Sequence, residues 1–303
     1  MTLIQKIEQI SLNYGSDSKR SIAEFVLRKQ ERLCEYTTSQ VAAETYTSKS
    51  ALVRFAQTLG FGGWKEFVQQ LVEELHYQQT HYSGIDPNFP FRESSTTADI
   101  IHQMSELQIE SIRDTADQLN PHMLEQAAEL LAKADRIALF GISPNNILGE
   151  LFRRRMLTIG RQVEMPFLGD SGLLASSLGK NDCAILISYS GNVENREPLN
   201  VLRFLIPSGV KVIGVTSSGD NVLRDKASYT FTISSREKLY NKISTFATEV
   251  SINYILDTLF AAYFARNYAF NVLQKIQNGR VLERERLAGQ AETENAPAEP
   301  CEG

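Results

Sequence analysis

Hydroxyl side chains and a glycine stand together where a predicted buried strand ends, in the segment Ile187-Ser188-Tyr189-Ser190-Gly191-Asn192. The run before it, Ala184–Ile187, is short and apolar, which is typical of a buried strand. The two serine hydroxyls can bind an anion, and Gly191 lets the backbone approach it closely. A helix predicted over Asn195–Leu205 would point its N-terminal amides at the same anion. The segment contains no lysine, which distinguishes it from a nucleotide-binding P-loop.

Two other predicted strand ends have the same character. At Gly141-Ile142-Ser143-Pro144-Asn145, Ser143 can cap a helix that has Pro144 as its first residue. The segment Val215-Thr216-Ser217-Ser218-Gly219 adds further hydroxyls. Helix capping alone explains one such junction, but three at the carboxyl ends of strands in one sheet favour a ligand site. The residues that we assign to this site are Ser143, Asn145, Ser188, Tyr189, Ser190, Gly191, Asn192 and Thr216.

A second candidate site lies within Thr38–Leu59, which reads as two short helices joined by a turn. Thr38 or Ser39 can cap the first helix, and Thr47 or Ser48 the second. The apolar face of the second helix consists of Leu52, Phe55, Ala56 and Leu59. The opposite face is polar, positive and free of carboxylates, which suits phosphates and base edges in the major groove of DNA. The DNA-binding residues that we predict are Thr47, Ser48, Lys49, Ser50, Arg54 and Gln57.

A plain helical hairpin is the alternative interpretation of this segment. Tyr46 occupies a turn position that often holds glycine, and a left-handed backbone costs a non-glycine residue roughly 1 kcal/mol. Residues 1–75 carry nine Lys/Arg and nine Asp/Glu, so DNA binding would depend on local placement of charge and on dimerisation. Beyond the second helix, we expect Phe61, Trp64 and Phe67 to hold the next helix against it.

The elements that position both sites fall into two classes. Residues 1–75 read as helices, whereas short apolar runs after Arg136 alternate with helix-length segments, which predicts a parallel sheet with helices on both faces. A long helix, roughly Ser244–Gln277, closes this part. The five predicted strands centre on Ile137–Phe140, Val163–Met165, Ala184–Ile187, Val210–Val215 and Tyr229–Ile233.

Composition excludes several classes of protein. The chain has 303 residues, of which 42% are hydrophobic and 22% charged, as in ordinary globular proteins. No apolar run approaches the length of a membrane helix, so no membrane association is expected. Three widely spaced cysteines fit a reduced, cytoplasmic location and no metal site. The net charge of −5 is concentrated at the end of the chain, where the last 17 residues hold four Glu and no Lys or Arg.

The two candidate sites together resemble one protein family. Residues Ser48–Phe67, which read SKSALVRFAQTLGFGGWKEF, resemble the helix-turn-helix domain of RpiR-family transcription regulators. The stretch Ile187–Gly191, ISYSG, resembles the hallmark of the sugar isomerase (SIS) domain. In this resemblance Ser188 and Ser190 match phosphate-binding serines, whereas Asn192 stands where Glu is common and Val193 where Thr is usual.

Pattern and resemblance together predict a multidomain chain. An all-α helix-turn-helix domain occupies residues 1–77, a linker 78–98, an α/β SIS domain with a five-stranded parallel sheet 99–280, and a disordered acidic tail 281–303. The resemblance implies a homodimer or tetramer that binds double-stranded operator DNA and regulates genes of sugar metabolism. Its effector would be a small phosphorylated sugar bound in the SIS domain, and no cofactor is expected.

Two other functions remain open at this point. The first is a phosphosugar isomerase or lyase with an accessory helical domain, and the second is a regulator whose SIS domain only dimerises. Isomerisation needs a positioned base, yet all four histidines precede the first predicted strand, which leaves Glu237 and Glu249 as candidates. Arg236 and Lys238 would be the nearby cations, although surface charges are the simpler interpretation. We expect no catalytic residue.

Overall fold

The computed structural model of the chain describes residues 3–12, 17–81, 84–238 and 241–280. It forms two compact units: one contains the chain up to Asp114 together with Ser234–Val250, and the other contains Thr115–Ile233 and the chain from Ser251 onwards. The predicted acidic tail, with Cys301, lies outside the described residues. None of the described helices is both long and apolar enough to cross a bilayer.

The first unit begins with five helices around one apolar core. They are α1 (Leu3–Leu12), α2 (Asp17–Lys29), α3 (Thr38–Glu44), α4 (Lys49–Thr58) and α5 (Trp64–His81), with a 3₁₀ segment at Gln30–Glu35. Apolar residues at helical spacing face inward, as the sequence pattern predicts. Fully or almost fully buried members of the core are Ile7, Ile22, Phe25, Leu52, Phe55, Phe67 and Leu71.

The first unit also contains the start of α6 (Thr97–Gln118) and two segments without helix or strand. Residues 84–96 belong to the predicted linker, and Asn88 within them is buried. The side-chain oxygen of Asn88 accepts a hydrogen bond from the amide of Lys238 at 2.6 Å. Its carbonyl oxygen accepts another from the amide of Ile243 at 2.9 Å. This part of the chain is therefore fixed to the segment after the last strand.

The second unit is built on a parallel sheet. Its strands are β1 (Ile137–Gly141), β2 (Cys183–Ile187), β3 (Lys211–Ser217) and β4 (Tyr229–Ile233), arranged in that order across the sheet. The register pairs Gly141 with Ile187 and Ile187 with Val215, so the carboxyl ends of the first three strands meet at one edge. This edge is where the hydroxyl-rich junctions lie.

Helices cover both faces of the sheet, as predicted. They are α7 (Pro121–Lys133), α8 (Asn145–Leu157), α9 (Ser171–Ser176), α10 (Leu202–Leu205), α11 (Val222–Lys226) and α12 (Phe246–Arg266). One face packs α7, α8 and the second-unit part of α12 around Leu139 and Ile185. The other packs α9, α10 and α11 around Ala138 and Leu186. Cys183 is a core residue, and burial raises the pKa of its thiol to about 12.

The predicted five-stranded sheet is present with one strand reduced. Residues Val163–Met165 form a single bridge to β1: the Glu164 amide donates to the Ile137 carbonyl, and the Glu164 carbonyl accepts from the Leu139 amide, both at 2.8 Å. Pro166 occupies the next pairing position and has no N–H, so the ladder cannot continue. Within the described residues the sheet therefore has four full strands.

Two predicted helices differ from the structure. The helix expected over Asn195–Leu205 consists of a 3₁₀ turn, Leu199–Val201, followed by the short α10. Pro198 cannot donate a helical hydrogen bond, which delays the start of the helix. The long closing helix ends as α12 at Arg266, turns at Asn267 and is helical again over residues 268–280.

Candidate functional site

The two helices of the predicted DNA-binding segment are α3 and α4. Val41 and Ala42 of α3 are buried. The predicted apolar face of α4 is also buried: Leu52, Phe55 and Ala56 are fully enclosed. Because both apolar faces meet in one core, the opposite side of α4 is directed to solvent.

The cap of α3 lies one residue earlier than predicted. Thr37, and not Thr38 or Ser39, is the N-cap: its hydroxyl accepts from the amide of Gln40 at 3.3 Å. The Gln40 side-chain oxygen in turn accepts from the Thr37 amide at 2.8 Å. This reciprocal pair satisfies two amides that otherwise lack helical partners, which explains why it prevails over the neighbouring hydroxyls.

The cap of α4 is Ser48, one of the two predicted alternatives. Its hydroxyl accepts from the amide of Ala51 at 3.2 Å. Thr47 does not cap the helix: its hydroxyl lies 2.8 Å from that of Thr45, which is buried. This side-chain hydrogen bond therefore stabilises the turn between the two helices.

The predicted DNA-binding face is exposed as the sequence pattern requires. Ser48, Lys49, Ser50, Arg54 and Gln57 are all exposed, and Thr47 is half-buried. Thr38–Thr58 contains a single carboxylate, Glu44, which lies at the end of α3 and not on α4. The face can therefore approach phosphates without repulsion from α4 itself.

The aromatic residues after α4 pack as expected. Phe67 lies at the centre, with ring centroids of Trp64 at 5.1 Å and of Phe55 and Phe61 at 5.7 Å each. Such tilted and edge-on contacts contribute beyond their buried area. They hold α5 against α4 and so fix the angle at which the exposed face of α4 is presented.

The hydroxyl-rich loop after β2 is tied closely to the loop after β3. The carbonyl of Tyr189 accepts from the amide of Ser217 at 3.0 Å and from the hydroxyl of Thr216 at 3.3 Å. The carbonyl of Gly191 accepts from the amide of Leu223 at 3.0 Å. The side-chain oxygen of Asn192 accepts from the amide of Val222 at 3.3 Å. The two junctions therefore form one rigid structure.

Gly191 is tightly enclosed within this structure. Its φ is +63°, in the left-handed region that favours glycine. A Cβ at this position would lie 2.3 Å from Oδ1 of Asn221 and 2.5 Å from Oγ1 of Thr216. Its amide donates to the hydroxyl of Ser188 at 3.3 Å. Glycine is thus required by neighbouring side chains as well as by the backbone.

The predicted ligand hydroxyls differ in exposure. Ser190 and Ser143 are exposed, Tyr189 and Asn145 are half-buried, and Ser188 is buried within its loop. Thr216 is fully buried, and its hydroxyl is engaged by the Tyr189 carbonyl. The surface of the junction is therefore formed chiefly by the exposed serine and asparagine side chains.

The first junction joins the other two through Asn145. Its side-chain amide donates to the carbonyl of Ile187 at 3.5 Å, at the start of the hydroxyl-rich loop. The predicted cap is wrong: Ser143 does not cap α8, which begins at Asn145 with Pro144 in the cap position. All three junctions are nevertheless brought to one edge of the sheet.

The anion cradle lacks one predicted component. No helix begins directly after Gly191; residues 191–198 are irregular, and the 3₁₀ turn starts only at Leu199. The helix amides expected to face the anion are therefore not beside Ser190. The neighbouring helix start is that of α11, whose Val222 and Leu223 amides bind the loop itself.

Asn221 is a positioning residue that is absent from the set predicted from the sequence. It caps α11 by accepting from the amide of Arg224 at 2.9 Å, and its amide group donates to the carbonyls of Ser217 and Gly219 at 3.3 Å. It is also the nearest neighbour of Gly191. An Asn directly before a short amphipathic helix is a cap signal that could have identified it.

The two candidate bases have structural partners. Glu237 is buried, and its carboxylate accepts from the amides of Ala247 and Thr248 at 2.5 and 3.3 Å, from the Thr248 hydroxyl at 2.9 Å and from the Lys242 ammonium at 3.1 Å. It thus caps the start of α12. Glu249 accepts from the hydroxyl of Thr245.

The two candidate cations are also placed. Arg236 pairs with the buried carboxylate of Glu110 at 2.9 Å. Lys238 is exposed, and its backbone amide binds Asn88. Both residues therefore have a structural part in the first unit.

Two family models match the chain. Residues 1–78 match the helix-turn-helix domain of the rpiR family, and residues 130–261 match the SIS domain. Together these matches cover more than two thirds of the 303 residues. Their order along the chain is the one predicted from the sequence.

Similar proteins include regulators from distant bacteria. A helix-turn-helix-type transcriptional regulator of Haemophilus influenzae is 25% identical over 248 residues, which are 80% of this chain and 84% of that protein. The regulator YbbH of Bacillus subtilis is 25% identical over 256 residues, 83% of this chain and 87% of that protein. The similarity therefore extends across both predicted domains.

Solved structures share the fold. The Vibrio vulnificus NanR protein, solved in complex with ManNAc-6P, superposes with a TM-score of 0.57 at 18% identity, covering 93% of this chain and 98% of that one. The sugar isomerase domain of an RpiR transcription factor from Sphaerobacter thermophilus gives a TM-score of 0.52 at 17% identity, covering 60% and 98%. The two family matches and the regulators named above show that the chain belongs to the RpiR family of transcriptional regulators, in which a helix-turn-helix domain precedes a SIS domain.

Proposed function

We propose that the protein is a cytoplasmic, sequence-specific DNA-binding regulator of sugar-metabolism genes and that a small phosphorylated sugar controls it. One observation carries the proposal: an exposed, carboxylate-free α4 face and three joined hydroxyl-rich junctions occur in one chain. NanR, which shares this fold, was solved with a phosphorylated sugar. We retain the domain limits 1–77, 78–98, 99–280 and 281–303 as part of the proposal.

The DNA-binding half is supported by the surface of α4. Its exposed positions carry two cations and three residues with hydroxyl or amide groups. Ser48 caps the N-terminus of the helix. Lys49 and the first-turn amides suit phosphate oxygens, and Arg54 and Gln57 suit base edges. The proposed contact set is Thr47, Ser48, Lys49, Ser50, Arg54 and Gln57.

The effector half is supported by the edge of the sheet. Ser143 after β1, and Ser190 and Asn192 after β2, offer exposed polar groups on two of the three junctions that hydrogen bonds hold together. Ser188, Tyr189, Gly191 and Thr216 fix the shape of the loop, so a phosphate would meet preformed donors. Such sites at the carboxyl ends of parallel strands are the usual ligand sites of open sheets.

We propose a regulator and not an isomerase because of Glu237. A general base must reach a substrate proton with an available lone pair. The Glu237 carboxylate instead accepts four hydrogen bonds within the protein, and Glu249 is bound by Thr245. The third function, in which the SIS domain only dimerises, is opposed by the exposed hydroxyls that remain at the sheet edge.

The proposed mechanism is a change in the relative stability of two arrangements of a homodimer or tetramer. A phosphorylated sugar binds one arrangement more tightly and thereby shifts the population towards it. The spacing of the two recognition helices then changes, and with it the affinity for the operator. The coupling is reciprocal: operator binding changes the affinity for the sugar by the same factor.

The test uses the full chain and an operator obtained by in vitro selection from random duplexes. Fluorescence anisotropy would measure operator affinity across a panel of phosphorylated sugars, with the matching unphosphorylated sugars as controls. At least one phosphosugar should change affinity about 5-fold or more, the usual range of allosteric coupling, and Ser190→Ala should abolish that change. If no phosphosugar alters affinity, the effector model fails.

The DNA-binding half has its own control. Arg54→Ala should weaken operator binding about tenfold or more, the cost of losing one base-edge contact. Arg20→Ala removes the same charge from α2, where Arg20 already pairs with Glu24 at 2.8 Å, and should bind like the wild type. Equal binding by the two variants would remove Arg54 from the contact set.

A further inference from the structure

Tyr46 occupies the turn between α3 and α4 with a left-handed backbone. Its φ is +53°, and its amide donates to the carbonyl of Ala43 at 3.2 Å. The next amide, of Thr47, donates to the carbonyl of Ala42 at 2.9 Å. The buried hydroxyl of Thr45 donates to the carbonyl of Val41 at 2.8 Å. These bonds hold the turn in which Tyr46 adopts its left-handed conformation.

Tyrosine is a costly choice for this position. Any side chain with a Cβ is strained in the left-handed region, whereas glycine is not. The ring gains nothing from packing in return, because 95% of the residue is exposed. By contrast, the aromatic residues of α4 and of the start of α5, Phe55, Trp64 and Phe67, are buried in the core. Strain that the fold does not offset is typical of positions that serve an external contact.

We propose that Tyr46 contacts the operator, its phenolic hydroxyl donating a hydrogen bond to a phosphate oxygen of the DNA backbone. This inference rests on the proposed DNA-binding function. Tyr46 immediately precedes Thr47, Ser48 and Lys49, which lead into the first turn of α4, the end of a recognition helix that approaches DNA. Tyrosine is one of the polar side chains that commonly contact backbone phosphates.

A phosphate contact by tyrosine has a distinctive signature. It carries no sequence information, so its loss should weaken binding to all operator variants by the same factor. The phenol is neutral, so its loss should leave the dependence of affinity on salt concentration unchanged, since that slope counts neutralised phosphates. Loss of Lys49 should reduce that slope.

The experiment compares Tyr46→Gly and Tyr46→Phe in the full chain with the selected operator. Glycine removes the backbone strain, so the melting temperature of the Tyr46→Gly variant should rise. Because the ring and its hydroxyl are also removed, operator affinity should fall about tenfold, the loss expected for one hydrogen bond to a charged group. Phenylalanine keeps ring and strain but lacks the hydroxyl, so it should lose affinity to a similar degree. A stabilised Tyr46→Gly variant excludes misfolding as the cause of weaker binding.

Gln30 supplies the matched control. It is the other non-glycine residue with positive φ in the described ranges, at +46°, and lies at the start of the 3₁₀ segment. Gln30→Gly should raise stability without changing operator affinity. If Tyr46→Gly binds like the wild type while Arg54→Ala binds weakly, the Tyr46 contact is refuted and DNA binding stands. If Tyr46→Phe alone binds like the wild type, the hydroxyl contact is refuted; a wild type that selects no duplex refutes both proposals.

Discussion

At the scale of single residues, Gly191 is a position where both the backbone and the neighbouring side chains require glycine. Its φ is left-handed, and a Cβ there would lie 2.3 and 2.5 Å from side-chain oxygens of Asn221 and Thr216, which leaves no room for a methyl group. We expect Gly191→Ala to lower the free energy of unfolding by about 2–4 kcal/mol, since overpacking and a left-handed alanine both contribute. Urea denaturation followed by circular dichroism would measure this change.

Gly179 is the matched control for this substitution. It lies in the same unit, and a Cβ there would have no neighbour within 4 Å. Gly179→Ala should therefore change stability by less than about 0.5 kcal/mol, as surface substitutions usually do. Equal stability of the two variants would mean that the loop rearranges around an added methyl group and is not the rigid structure described above.

Some residue-level features follow from the sequence and others do not. The exposed face of α4 follows from helical periodicity, because a one-sided apolar stripe determines which residues remain outside. The burial of Thr216 does not follow in this way. Strands of a parallel sheet are buried on both faces and show no alternation, so the pattern of β3 cannot indicate whether this hydroxyl faces a loop or a ligand.

At the scale of elements, α5 fixes the start of α1 through Glu74. The Glu74 carboxylate accepts from the amides of Leu3 and Ile4 at 3.0 and 3.4 Å. Burial raises the pKa of this carboxyl above its ordinary value of 4.5, although the two amides oppose the shift. The folded protein therefore holds this proton more tightly than the unfolded chain does.

The sign of the pH dependence follows from this difference. The contribution of Glu74 is fully present below the unfolded pKa of 4.5 and is lost as the pH rises through the higher folded value. We expect the stability of the wild type relative to Glu74→Gln to fall with rising pH in the range above about pH 4.5. Urea titrations across this range would measure it, with Glu73→Gln, at an exposed site on the same helix, as the control. A difference that is constant or rises with pH would contradict the prediction.

The limits of several elements could not be predicted. Thr37 caps α3 in preference to Thr38 and Ser39 because Gln40 accepts a hydrogen bond from the Thr37 amide in return. With three hydroxyl residues in a row, the sequence does not indicate which of them forms this pair. Pro198 lay inside a segment whose apolar spacing suits a helix, and its missing N–H shortened that helix to α10. Local chemistry at one residue thus decided where each element begins.

At the scale of the whole molecule, the charge balance of the N-terminal helices bears on how tightly a single domain can bind DNA. The first 75 residues have equal numbers of cationic and anionic side chains, and α4 presents two cations. With so few neutralised phosphates, one domain alone should bind weakly. We therefore expect an operator with one half-site to bind at least roughly 100-fold more weakly than one with two, because a dimer makes the second contact at high effective concentration.

The measurement compares selected duplexes in anisotropy titrations at fixed salt. In a third duplex, the spacing between the two half-sites is increased by about half a helical turn, which places them on opposite faces of the DNA. This duplex should bind like the single half-site. Equal affinity for one and two half-sites would contradict the dimeric model and point to binding by a single domain.

The position of Glu237 has a consequence for how this domain could evolve. The Glu237 carboxylate already accepts four hydrogen bonds within the protein, which engage the lone pairs that a general base would use. Glu237 holds the start of α12 from a fully buried site. An isomerase could arise from this chain through Glu237 only after another residue had taken over that cap. We expect the first mutation on that path to reduce stability before it confers any activity, so selection for a folded protein would oppose it.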